Sequence, residues 1–265
     1  MSPYISPLIL SLASGSKANC TLISDGHTNI LIDLGLSCRK VNAALKPYGL
    51  DLSAIDAVFL THEHSDHVAG LPTFFKNYTA PVYVTEPSHL DLIRGKFFEF
   101  RDRFTAVSES FSVKVGAFTV ASLPVRHDSA ACVAYRIEGG GISLGICTDV
   151  GSPGDDLFEF FKDLRCVITE SNYDEIMLRC GTYPEDLKYR IMSPYGHTSN
   201  ADCADFVCRL SQNGVRRVLL AHVSPENNTP ELAVCVTREA LESKGLTLDF
   251  LEAAKREGCV ELPLN

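Results

Sequence analysis

Short apolar runs recur along the chain and alternate with stretches whose apolar positions return every three or four residues. The first pattern predicts strands at 8–13, 20–24, 28–33, 57–60, 82–85, 118–124, 133–138, 142–148, 166–169 and 217–221. The second predicts helices at 38–46, 68–77, 88–97, 155–162, 184–192, 200–212 and 230–244. In the sixth of these, Cys203, Phe206, Val207 and Leu210 form the apolar stripe and Asn200 stands at the N-cap position. Pro230 suits the first turn of the last helix. Gly139-Gly140-Gly141 reads as the turn of a hairpin between two strands. Strands interleaved with helices in this way predict an α/β fold in which helices cover the outer faces of packed sheets.

A second regularity lies at the strand ends. The run 57–60 leads into His62 and His64, and 118–125 into His127. The run 142–148 leads into Asp149, 166–169 into Glu170, and 218–221 into His222. Each strand therefore delivers an imidazole or a carboxylate just beyond its last apolar residue. Rigid elements hold a preorganised site better than loops do, so convergence of these ends would build one site.

The densest chemistry is Thr61-His62-Glu63-His64-Ser65-Asp66-His67. Neutral imidazole and carboxylate are ligands that zinc and similar divalent metals prefer. His62 and His64 are two apart, so on extended chain they face the same way and can share one ion. Asp66 and His67 follow once the chain has begun to turn and more easily serve a second ion. The plainer reading is a polar loop that caps a helix through Ser65 or Asp66. The expected arrangement places His62, His64 and His127 on one divalent metal and Asp66, His67 and His222 on another, with Asp149 between them. Two such ions clamp the attacking and leaving oxygens of a displacement and bring a bound water's pKa to about 7, so hydroxide is the expected nucleophile. Zinc, manganese and iron all tolerate this donor set.

The length of 265 residues allows one large domain or two small ones, and 45% hydrophobic with 22% charged residues is ordinary for a globular protein. No run approaches the roughly 18–20 apolar residues that span a bilayer. The first seven residues contain two prolines and no basic residue, unlike a secretory signal. A cytoplasmic location without a membrane partner is expected. Ten cysteines are scattered without a Cys-x-x-Cys pair, and Cys132, Cys147, Cys166 and Cys235 lie in apolar runs, so all ten are read as reduced and mostly structural. The net charge of −9 gives no long-range attraction to nucleic acid, although bound metals would make a local anion site. Lys17, Arg126, Lys188 and Arg190 are the cations near the motifs. Lys188 and Arg190 share one helix and read as a solvated face, whereas Lys17 lies in a Gly-Ser loop whose amides could cradle an anion.

Three histidines lie outside the ligand set. His27 falls in a predicted exposed turn, and His89 begins a helix with no ligand partner nearby. His197, in Tyr195-Gly196-His197-Thr198-Ser199-Asn200, enters a helix. It reads either as a helix-entry hydrogen bond or as a general acid oriented by Glu170.

The His-x-His-x-Asp-His string with the later His127, Asp149 and His222 resembles the metallo-β-lactamase superfamily. The resemblance runs from Leu8 to about residue 250. It implies a four-layer αββα sandwich, a single domain over 1–265, and metals at one edge of the sandwich. Within the superfamily, the stretches 13–19, 170–174, 181–184, 196–200 and 221–230 resemble the YycJ/WalJ (VicX) group, whose members are described as metal-dependent phosphodiesterases or DNA exonucleases. Asp149 matches the aspartate that bridges metals in hydrolases of the superfamily, where some β-lactamases place a cysteine. Glu170 and His197 are similar to the Glu–His pair of the ribonuclease Z branch, which protonates the leaving oxygen. With Asp66, they are the catalytic residues that the resemblance implies. The length leaves no room for a β-CASP insertion, and no exosite arm for transfer RNA is visible. The expectation is a dinuclear phosphodiesterase or nuclease with a phosphodiester substrate, DNA among the candidates and 5′-to-3′ exonuclease action one form of it. The alternatives are thioester or lactam hydrolysis and a metal-holding regulatory protein. The sequence sets no oligomeric state.

Overall fold

A computed structural model of the chain describes residues 7–264. The first sheet takes strands β1 (Leu8–Ala13), β2 (Cys20–Ser24), β3 (Asn29–Ile32), β4 (Ala57–Phe59), β5 (Val82–Thr85) and β6 (Phe104–Val107). The second takes β7 (Ser112–Val115), β8 (Phe118–Val125), β9 (Cys132–Gly139), β10 (Ile142–Cys147), β11 (Cys166–Glu170), β12 (Arg217–Ala221) and β13 (Phe250–Ala253). The last strand, β14 (Val260–Leu262), returns to pair antiparallel with β1. The orders are β14-β1-β2-β3-β4-β5-β6 and β13-β12-β11-β10-β9-β8-β7. Each sheet is antiparallel on one side and parallel on the other: β3 to β6 run parallel in the first, β10 to β13 in the second.

The helices are α1 (Cys38–Leu45), α2 (Ser65–Val68), α3 (Leu71–Asn77), α4 (Glu86–Arg94), α5 (Asp155–Phe161), α6 (Glu175–Cys180), α7 (Glu185–Ile191), α8 (Asn200–Ser211) and α9 (Pro230–Ser243). Three apolar cores separate the layers. One packs Val41, Leu45, Phe74 and Phe75 of the helices against the outer face of the first sheet. A second lies between the sheets and includes Ile30, Phe59, Tyr135 and Ile168. The third packs Leu157, Phe161, Phe206 and Leu241 against the outer face of the second sheet. Successive residues of a strand point to opposite faces. In β4, Ala57 and Phe59 accordingly enter the middle core while Val58 enters the outer one. Burial on both faces is why these strands read as continuous apolar runs. The expected αββα sandwich is the observed fold.

The departures from the predicted elements have local causes. The helix expected at 68–77 is two helices, because Gly70 donates its amide to the Leu34 carbonyl and Pro72, with no N–H of its own, opens the second. The N-cap of α8 is Ser199, whose side chain accepts from the Asp202 amide. Asn200 instead sits inside the helix with its side chain in a buried network with Ser171 and Asn228. Cys235 is exposed on the outer face of α9 and is no core residue, whereas Cys132, Cys147 and Cys166 are buried. All ten cysteines are free thiols. No helix among the described residues is long and apolar enough to cross a membrane.

Candidate metal centre

Strand ends from both sheets meet at one edge of the sandwich, and three strands are each followed within two residues by one in the left-handed region. Asp33 after β3 has φ 60°, Asp149 after β10 has φ 57°, and His222 after β12 has φ 52°. Left-handed backbone is uncommon outside glycine and collects at functional sites. Here it turns each strand sharply, so that the side chain projects into the shared edge instead of continuing the pleat. The 61–67 segment arrives beside them. His62 and His64 project from extended chain with ring centroids 4.5 Å apart, and α2 then begins to coil and brings His67 round. Gly35 permits the close approach of the 33–35 turn to this segment: a Cβ there would lie 1.6 Å from the Asp66 carbonyl oxygen.

Ligand-type atoms gather in overlapping sets within 4.8 Å of one another: His62, His64 and His127; Asp66, His67 and His222; His62, His67 and Asp149; and Asp149, Glu170, His197 and His222. The Asp149 carboxylate is central. One oxygen lies 3.2 Å from His67 Nε2, and the other lies 3.5 Å from His222 Nε2 and 3.8 Å from His127 Nε2. All nine residues singled out in the sequence therefore come together. Glu63 does not join them. Its carboxylate accepts from the Ala130 amide and the Ser88 hydroxyl and braces the loop from behind.

The hydrogen bonds around the edge fix which imidazole atoms face inward. His67 Nδ1 donates to Asp33 at 2.8 Å, and His127 Nδ1 donates to the Gly196 carbonyl at 3.1 Å. His222 Nδ1 and His197 Nδ1 both donate to the same Glu170 oxygen, at 2.9 and 2.8 Å. The second Glu170 oxygen accepts from the amides of Val150 and Thr198, so this fully buried carboxylate is satisfied on both sides. Such outer partners orient metal-ligating histidines and fix their tautomer. Several inward atoms make no hydrogen bond: Nε2 of His62, His127 and His222 and Oδ2 of Asp149 are buried without one among the described residues, although Asp149 Oδ2 faces His67 Nε2 and His127 Nε2 faces an Asp128 oxygen, each at 3.2 Å. Buried polar atoms are normally paired. A cluster of bare imidazole nitrogens around a carboxylate fits a divalent cation by donor type and by geometry.

Electrostatics divide the four imidazoles. Burial, reinforced at His62 by His67, pushes the imidazoles of His62 and His127 down, towards the neutral form a ligand needs. Burial also opposes charge on His222, but Asp149, Asp66 and Glu170 outweigh it and push His222 up to about 10. Asp33 and Asp149 likewise overcome burial and raise His67. Protons here balance the charge of converging carboxylates, and a cation would displace them. The His222 value is raised above its ordinary 6.5, so its contribution to the stability of the metal-free fold is full below about 6.5 and fades as pH rises through about 10. Metal affinity of the apoprotein should therefore rise with pH across that window, with proton release on binding. Titration calorimetry in buffers of different ionisation enthalpy should show that release near neutral pH. Uptake with no proton exchange would contradict the assignment of His222.

Several contributing residues were not evident in the sequence. Asp33 ends the predicted strand 28–33, so the strand-end rule delivers it too, but one step back: its oxygens hold His67 and the Thr61 amide. Asn19 donates to Asp66 at 3.1 Å and approaches His67 Nε2 to 2.9 Å. Asn172 donates to the His222 carbonyl, and Ser14 accepts from its amide. All three lie in the stretches 13–19 and 170–174 that carry the group resemblance, but polar residues in irregular loops have no periodic signal that would reveal what they hold.

The four cations separate clearly. Lys188 is buried and spends its ammonium on Glu185 and the Arg179 carbonyl. Lys17 and Arg126 line other surface hollows. Arg190 lines the cleft of about 280 Å³ that opens over the centre, together with His64, Asp149, His197 and His222. His27 is exposed, and His89 packs at the edge of Phe104, away from the centre.

This fold and donor set place the chain by class, and sequence comparison agrees: residues 28–223 match the family described as beta-lactamase superfamily domain, and the chain belongs to it. The chain is 33% identical over 237 residues to exodeoxyribonuclease YycJ of Bacillus anthracis, covering 88% of this chain and 89% of that protein. It is 32% identical over 243 residues to exodeoxyribonuclease WalJ of Streptococcus pneumoniae, covering 90% of each. Among solved structures, Zn²⁺-bound PqqB from Methylobacterium extorquens superposes with a TM-score of 0.71 at 17% identity, covering 96% of this chain and 100% of that one. That likeness is one of fold.

Proposed function

We propose that this protein is a cytoplasmic metal-dependent nuclease or phosphodiesterase, with residues 1–265 as one domain and the ends of DNA as its substrate class. The carrying observation is the set of bare, buried inward atoms of His62, His127, His222 and Asp149 with the Glu170–His197 pair beside them. The names of the two exodeoxyribonucleases to which the chain is similar support the same reading. In this assignment His62, His64 and His127 would hold one divalent ion and Asp66, His67 and His222 a second, with Asp149 lying between the two sets. Zinc or manganese suits the donors, and iron is tolerated. When bound, such ions polarise a phosphoryl oxygen and bring the pKa of a coordinated water to about 7.

The chain's own residues supply the rest. Glu170 holds the Nδ1 side of both His222 and His197, so each presents Nε2 to the cleft. Burial opposes charge on His197, but Glu170 and Asp149 outweigh it and raise its pKa. The raised pKa favours a proton on Nε2, within the cleft, for the departing oxygen. Asp66 is fixed by Asn19, and its carboxylate stays ionised: burial opposes this, but His222 and His67 hold its pKa well below the usual range.

Turnover by metal-reconstituted protein tests the reading. Bis(p-nitrophenyl) phosphate, end-labelled single- and double-stranded DNA, lactoylglutathione and a chromogenic cephalosporin should be compared. Phosphodiester cleavage is expected. Thioester or lactam turnover without it would overturn the proposal, and full metal occupancy with no turnover of any substrate would favour a regulatory metal protein.

A further inference from the structure

Arg190 stands where the phosphodiester chemistry leaves a gap. The cleft is lined by Asp66, Asp128 and Asp149, in a chain of net charge −9. A nucleotide chain brings more than the scissile phosphate, so the cleft must accommodate a second anion. Arg190 is the one lysine or arginine that lines the cleft among the described residues. Its Nε donates to one oxygen of Asp128, the residue after His127, and the other Asp128 oxygen lies 3.2 Å from His127 Nε2. One carboxylate therefore links the guanidinium to the loop that carries His127. No hydrogen bond from either terminal nitrogen of Arg190 is present among the described residues, so the planar fork that matches phosphate remains available. Tyr183, Leu187 and Ile191, from α7 and the turn before it, also line the cleft and give it apolar surface suited to a sugar or base. The sequence alone favoured a solvated helix face for Arg190. The structure separates it from Lys188, whose ammonium is buried and spent.

We propose that Arg190, positioned by Asp128, binds the phosphate adjacent to the scissile one and makes the enzyme prefer phosphorylated nucleotide chain ends over isolated diesters. The inference rests on the phosphodiester reading above and adds the substrate feature that is recognised.

Steady-state kinetics on the full, metal-reconstituted chain test it, with TpT and its 5′-phosphorylated form as probes. The wild type should favour the phosphorylated dinucleotide. In R190A the ratio of kcat/KM for phosphorylated over unphosphorylated dinucleotide should fall roughly 10- to 100-fold, mostly through KM, as for loss of a charge-assisted hydrogen bond. R190K keeps the charge but not the fork and should recover part of that ratio. Exposed ion pairs contribute little to stability, so R190A should fold and keep its metal content, which mass spectrometry would check. Equal loss on both dinucleotides would show a merely structural role and overturn the proposal, as would an unchanged ratio. Wild-type cleavage with no dependence on Arg190 would overturn this inference alone. No wild-type cleavage of either probe at full metal occupancy would overturn the phosphodiester reading, and this inference with it.

Discussion

Asp149→Asn should empty or loosen the metal centre and abolish most turnover. Asp149 is buried and left-handed, with φ 57°. Asparagine tolerates that conformation better than alanine does, so the substitution removes charge with little backbone cost. The carboxylate stands between both ligand sets, 3.2 Å from His67 Nε2 and 3.5 Å from His222 Nε2. Burial opposes its ionisation, yet His222 and His67 keep it ionised, well below the usual carboxylate range. Losing an outer partner of a ligand costs roughly 10–100-fold in affinity or activity. Loss of a shared inner ligand, the role proposed for Asp149, should exceed that, with metal content falling below that of the wild type. Elemental mass spectrometry and bis(p-nitrophenyl) phosphate turnover on the same sample measure both. A variant that kept wild-type metal content and turnover would remove Asp149 from the centre.

His197→Ala should separate catalysis from metal binding. His197 is 22% exposed at its side chain, reaches the cleft, and donates Nδ1 to Glu170. A positioned general acid contributes about 10²–10⁴-fold, so DNA cleavage should fall by that order. Metal content should stay near wild type, because Glu170 still holds His222. The loss should be smaller on bis(p-nitrophenyl) phosphate, since p-nitrophenolate departs without protonation. Equal loss on both substrates together with loss of metal would make His197 a ligand-supporting residue instead.

The interior of the fold was legible in the sequence because its strands are buried on both faces and read as unbroken apolar runs. Strands β1, β2, β5 and β12 begin and end where the pattern placed them. The four strands that the pattern missed, β6, β7, β13 and β14, are the four outer edges of the two sheets. Edge strands are short and half solvated, as the residues of β7 and β13 show, so their apolar signal is weak. Helix α6 was missed for a related reason: among its residues only Leu178 is buried. Site residues were legible where a strand ended in a ligand-type side chain. What periodicity cannot show is the left-handed turn that aims Asp33, Asp149 and His222, or the second imidazole held by Glu170. Those depend on how chain segments far apart in sequence pack at one edge.

Anomalous diffraction from crystals soaked in zinc or manganese tests the central claim most directly. Two peaks about 3.5–4 Å apart are expected, one against His62, His64 and His127, the other against Asp66, His67 and His222, with Asp149 touching both. A single peak, or metal bound away from these residues, would contradict it.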